Sequence, residues 1–422
     1  MHCCRLNSSI AIFVLLLLAG CNCNANNSIN YIENPFGYSD EPIIMDFTPF
    51  LKDGVYVIKD TIDLKGRTLV LPENIILRID GGLFKNGVLF GNNTTLNYKR
   101  KSVVFDRVNI KGTWIIGVIR STMFSDLSYD NALKDVIALT NSAVRNRVFI
   151  DKGIYKVNVY SNSDVCLPLT SNTDLQLDGD VFLTPNIYSN YSIIETRGSN
   201  IRIKGKGAIC GDKQKHLANE GEWGMGVFVR GGTNISIKGI TIKDCWGDCI
   251  YITGDAANVI VEDCLIDNGR RQGISVIYAQ NVTIKNSKIQ NIEGTKPEYA
   301  IDIEPNKNCF VNNVQIKNVI IENCKGGIAS YGAAEGAKID SIIVKNCSIN
   351  KTTRCPINLT ITRYVRVENS QINRGPKELA LNFEDVKSLI ISRIEVDGKR
   401  ISGNKNIGKN VKINNVDQYV FK

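Results

Sequence analysis

Three stretches, "TNISIKG" from Thr233, "ANVIVED" from Ala257 and "QNVTIKN" from Gln280, say one thing three times. Each has Asn, then two branched residues with one residue between them. The pairs are Ile235/Ile237, Val259/Val261 and Val282/Ile284, and they continue at Val314/Ile316, Ile342/Val344, Val365/Val367, Leu389/Ile391 and Val411/Ile413. First members are separated by 24, 23, 32, 28, 23, 24 and 22 residues. Asn precedes the pair at 234, 258, 281, 313 and 410, and Ile201/Ile203 and Leu175/Leu177 extend the series upstream.

Short alternating β-branched runs broken by Gly, Asn and Asp predict strands and tight turns. A unit of this length also suits a leucine-rich repeat, but the Leu consensus and the helical half are missing. The spacing predicts an all-β chain: a right-handed parallel β-helix of about 10 or more coils, with three short strands per coil. Inward Ile and Val then form aliphatic columns. Asn at the corner tolerates left-handed backbone and can bond to the Asn of the next coil. Cys245, Cys264, Cys324 and Cys347 close "IKDC", "VEDC", "IENC" and "VKNC", where Ser287 and Ser370 take the same slot. That alternation predicts a column of small buried side chains, not disulfides. With no CxxC and two His, zinc is not expected.

Four segments are expected. Residues 1–20 carry an apolar run of 11, "IAIFVLLLLAG", too short to span a bilayer. With Leu18-Ala19-Gly20-Cys21 this resembles a bacterial lipoprotein signal. The resemblance implies lipidation at Cys21, a tether over 21–45, and an outer-membrane location facing the periplasm or the surface. Residues 46–125 read as irregular β coils, and 126–422 as the β-helix. A helix over about Asn131–Ser142, capped by Asp130, is expected to close the N-terminal end of the solenoid, whose strand edges would otherwise be unpaired. The net charge of +9 favours an acidic partner such as a uronic-acid or sulfated glycan. Lys and Arg form no dense run, so nucleic acid is not expected, and a monomer is.

The set "TLVLPENIILRIDGGLFKNGVLFGNNTTL", "NIKGTW", "VFIDKGIYKV", "GEWGMG", "WGDCIYI", "RRQGISV" and "IDIEPN" resembles the pectin-lyase-like β-helix proteins of Bacteroides-type bacteria, and more distantly the polygalacturonase-like glycoside hydrolases. That hydrolase family carries "NTD", "DD", "GHG" and "RIK" on successive coils. Registered by strands, Asp248 matches the second Asp of "DD". Gly247 replaces the first, Gln272 the His and Met225 the Asp of "NTD", while "RIK" has no counterpart. The resemblance implies a carbohydrate-active protein. One catalytic position of several is retained.

Strand alternation turns Ile250, Ile274 and Ile301 inward and Tyr251, Ser275 and Asp302 outward. Asp248, Gln272 and Tyr299 are expected to form a second outward column, with Glu304 beyond Asp302. Asp248, Asp302, Glu304 and His216 are the candidate catalytic groups. Arg270, Arg271, Gln272, Tyr251, Trp223, Glu222 and Tyr299 are candidate sugar contacts. Carboxylates two coils apart suit an inverting hydrolase. Elimination would use Arg270 and Arg271 on a uronate, or Ca²⁺ on Asp248, Asp302 and Glu304; otherwise no cofactor is expected. Two other readings stay open: a non-catalytic glycan-binding or structural lipoprotein, and a purely structural salt bridge between the two arginines and Asp302 or Glu304.

Overall fold

The computed structural model describes residues 30–32, 50–125, 132–141, 146–374, 379–401 and 411–422. The signal-like segment, Cys21, Asp130, Asn131, Ser142 and Asn410 lie outside the described residues.

The chain is a parallel β-solenoid of about 13 turns, with one short α-helix among the described residues. A typical coil runs through the strands Ile250–Thr253, Ala256–Glu262 and Leu265–Asp267. The next repeats it with Ile274–Val276, Ala279–Lys285 and Lys288–Gln290, each pairing in parallel with its predecessor. The branched pairs stack as expected: Ile235 lies on Val259, Val259 on Val282, Val282 on Val314, and Val314 on Ile342. All five are buried, and hydrophobic burial along this column is the main stabilisation of each coil.

The corner residues form the expected ladder. Asn200, Asn234, Asn258, Asn281 and Asn313 each donate a side-chain N–H to the Asn of the preceding coil, at 2.9 to 3.2 Å, starting from Asn172. All six have φ between 55° and 65°, the left-handed region that Asn occupies at lower cost than most residues. A second ladder joins Asn286, Asn318, Asn346 and Asn369. The repeat cysteines are buried free thiols, and Ser287 and Ser370 interleave with them, each hydroxyl accepting the N–H of the Cys one coil before.

Register departs from the sequence series at both ends. Leu175 pairs with Ile203, not Ile201, whose inward place is taken by buried Thr173. Alternation has a period of two, so a two-residue shift leaves the pattern unchanged. At the other end, Val411 and Ile413 pair with Leu381 and Phe383, while Leu389 and Ile391 meet Tyr419 and Phe421. The 11-residue strand Val411–Phe421 holds two apolar pairs, and the branched one is not the continuation.

The N-terminal coils are parallel too: Val55 pairs with Ile76, and Ile76 with Thr95. Residues 30–32, placed within the tether by sequence, form a strand on Tyr56–Ile58. Three residues between polar flanks carry too short a pattern to read as a strand. The helix, Ala132–Asn141, packs against the strands Phe105–Ile115, Ile154–Val157 and Asp164–Thr170. It joins the N-terminal coils to the main solenoid.

Candidate active site

Asp248 and Gln272 are flanked by bends just before the strands Ile250–Thr253 and Ile274–Val276. Alternation alone would turn them inward with Ile250 and Ile274. The bends swing them out, where Asp248 accepts a hydrogen bond from the hydroxyl of Ser275 at 2.7 Å. Gln272 donates from Nε2 to Asp302 at 2.7 Å and accepts the N–H of Tyr299 at 2.7 Å. Sequence reasoning therefore found the right side of the sheet for these residues. It misjudged their access, because Asp248, Gln272, Ser275 and Asp302 are all buried.

Arg271 roofs them. Its Nη1 reaches both oxygens of Asp248, at 3.1 and 3.2 Å, and its Nε ion-pairs with Glu222 at 3.3 Å. With Ser275 and Arg271 on its oxygens and no exposed surface, Asp248 is an anchor for Arg271 and does not face solvent. Burial pushes its carboxyl upward, and Arg271, Ser275 and the backbone of Gln272 oppose the rise. Asp302 differs. Burial pushes it well above the ordinary carboxylate range, and its neighbours Glu304 and Asp248 add to this; Arg271 opposes. Asp302, crowded by Glu304, thus favours holding a proton. Glu304 is partly exposed and Glu222 is the more open of the carboxylates on Arg271.

The insertion 211–222 shapes the site by its backbone. Arg270 lies over the Trp246 ring at 3.7 Å and donates to the carbonyls of Gly221 and Trp246. It clamps the insertion onto Trp246. His216, expected to be catalytic, has a fully buried side chain. Its Nδ1 meets Asp212 at 2.8 Å, and its ring stacks on Trp246 at 3.9 Å. Tyr191 completes the pin, donating to Asp212 at 2.7 Å. A lone His in a polar loop looks the same in sequence whether it faces solvent or stacks. Gly247 also has a reason: a Cβ there would meet the carbonyl oxygen of Glu222 at 2.4 Å, so the insertion leaves no room for a side chain at this position.

The aromatic candidates divide. Trp223 is half exposed at the start of the strand Trp223–Arg230. Tyr251 packs edge-on against Phe228 at 5.2 Å; burial pushes its hydroxyl up to about 12, so it stays a neutral donor. Tyr299 is partly buried, and burial pushes its hydroxyl upward. Among the described residues, no group of three or more His, Cys, Asp or Glu is placed to hold a metal ion. Between Asp248 and Glu222 the cation is the guanidinium of Arg271. Two surface clefts are lined by none of the candidate residues: one of about 650 Å³ beside Phe182 and the insertion's Asp212, and one of about 490 Å³ beside Phe310 and Arg363.

A family described as "Right handed beta helix region" matches residues 136–341, just under half of the chain. With the parallel coils, this makes the chain a right-handed parallel β-helix. Two curated relatives are uncharacterised proteins of Bacillus subtilis. YclG is 26% identical over 207 residues, covering 42% of this chain and 35% of its own length. The prophage-derived YorA is 29% identical over 162 residues, covering 33% and 28%. The chain thus spans about a third of the length of the curated relatives it matches. Among solved structures, it is similar to a family 28 exopolygalacturonase of Yersinia enterocolitica, at 13% identity and TM-score 0.45, covering 72% of this chain and 77% of that one. It is also similar to the catalytic domain of Agl-KA, at 12% identity and TM-score 0.39, covering 72% and 68%.

Proposed function

We propose that the protein is a carbohydrate-active enzyme that hydrolyses a glycosidic bond of a polysaccharide. The observation that carries this is the Asp302–Glu304 pair: a buried carboxyl pushed up beside a partly exposed one, on the outer side of the sheet. A proton held there can pass to a leaving glycosidic oxygen. Glu222, held by Arg271 and facing solvent, is the carboxylate placed to activate water. Asp248 positions Arg271, and Trp223 offers a ring for sugar stacking.

Elimination fits less well. It asks Arg270 and Arg271 to neutralise a uronate, and both are committed, one to Trp246 and Gly221 and the other to Asp248 and Glu222. A Ca²⁺ on Asp248 would compete with Arg271 for the same oxygens. Lipidation at Cys21 and attachment to the outer membrane belong to the same proposal, and they rest on the signal-like sequence alone. A polysaccharide panel, read both for new reducing ends and for absorbance of unsaturated uronate, tests the activity. Reducing ends without absorbance are expected, and lost in Asp302→Asn and Glu222→Gln. Binding without cleavage would leave a glycan-binding protein, and full activity in both variants would remove these residues from the chemistry.

A further inference from the structure

Two arginines not singled out in the sequence, Arg197 and Arg230, are placed to meet an anion. On the coils before the carboxylates, Glu195 lies 1% exposed in the strand Asn190–Arg197. Its Oε1 is 2.6 Å from Nε of Arg197 and 3.1 Å from Nε of Arg230. Arg230 lies over the Phe228 ring at 4.3 Å, and Phe228 in turn packs on Tyr251. Ser192 donates a further bond to Glu195. One buried carboxylate thus fixes two guanidinium groups. Both side chains stay open, 51% and 56% exposed, and the trio carries a net positive charge.

Registers place this trio on the face of the candidate site. Arg197 is beside Arg230, since Thr196 pairs with Val229. Arg230 pairs with Thr253, which neighbours Ile277, which neighbours Glu304. Arg230 and Glu304 therefore share one lengthwise column, three coils apart, or roughly 14 Å at the spacing of paired strands. A glycan lying along the column would reach from one to the other.

We propose that Arg197 and Arg230 form a subsite for an oxyanion, carboxylate or sulfate, carried on a sugar a few units from the Asp302–Glu304 pair. Planar, pre-oriented guanidinium groups suit bidentate pairing with either group. This rests on the hydrolase reading for the bound polysaccharide, and it adds the charge of the sugar.

The full chain is titrated calorimetrically with an oligouronate, its carboxyl-reduced neutral counterpart and a sulfated oligosaccharide. The wild type is expected to bind at least one acidic ligand tenfold or more tighter than the neutral one, with the advantage fading at high salt. The preferred acidic arm identifies carboxylate or sulfate. The triple variant Glu195→Gln, Arg197→Gln, Arg230→Gln leaves no buried carboxylate unpaired, and melting curves confirm its fold. It is expected to lose the acidic preference. Equal wild-type affinity for acidic and neutral ligands, or a folded triple variant that keeps the preference, overturns the subsite and leaves hydrolysis standing. Binding of none of the ligands overturns the subsite and counts against the glycan reading as well.

Discussion

The central coils have an Asn corner and a face that carries the candidate site, and the two are built by opposite rules. At the corner, Asn172 to Asn313 repeat one residue, one conformation and one hydrogen bond across six coils. On the face, equivalent places hold Met225, Asp248, Gln272 and Tyr299, and no two adjacent coils present the same group. The corner gains from identity, since each Asn completes its neighbour. The face gains from difference, since a carboxylate on every rung would be a column of like charges. Here Asp248 is neutralised from the next coil by Arg271, and Asp302 is bonded by Gln272 from the coil before it.

The largest expected effect strikes the face and spares the corner. Asp302→Asn keeps an acceptor for Gln272 but cannot give up a proton. It should lower turnover on any polysaccharide found by about 10²- to 10⁴-fold with the fold intact, as read by initial rates and circular dichroism. Asp248→Asn should cost about 3 kcal/mol of stability in a denaturant melt, because a partly buried Arg271 loses its charge partner. Adding Arg271→Met should restore most of that stability and none of the activity.

At the corner, Asn258→Ala should cost about 2 kcal/mol, through a left-handed residue and two broken ladder bonds, while leaving activity alone. Asn258→Gly should cost about half as much, since Gly accepts that φ. The smallest effect is on pH. Folding holds a proton on Asp302 above the ordinary value of 3.8, so the folded state binds more protons than the unfolded chain. Stability from this group is present in acid and lost as pH rises past that value towards the folded one, by at most about 1.4 kcal/mol per unit. Asp302→Asn should flatten that slope, and melting temperatures from pH 4 to 8 would show it.

Sequence carried the corner almost completely, because Asn and the branched pairs are local signals that recur. It could not fix register where the signal has its own symmetry, at Leu175, or where two apolar pairs compete, at Val411 and Tyr419. On the face it put Asp248, Asp302 and Glu304 on the outer side of the sheet but could not show that Asp248 and Asp302 are buried, that Arg270 lies on Trp246 or that the His216 side chain is enclosed. The roles of Arg270 and His216 depend on the path of the 211–222 insertion, which no periodicity encodes. Glu195 had a signal that went unused: one acidic residue inside the apolar strand "YSIIETR".

The stacking of coils also makes the molecule a gauge. Separation along the face changes only in whole rungs, so Arg230 and Glu304 stand at a fixed count of three. Excising one complete coil between them would shorten the interval by one step without altering either end. Selectivity for the length of a bound chain would then be set by integers, adjustable by adding or removing repeats far more readily than by reshaping a pocket.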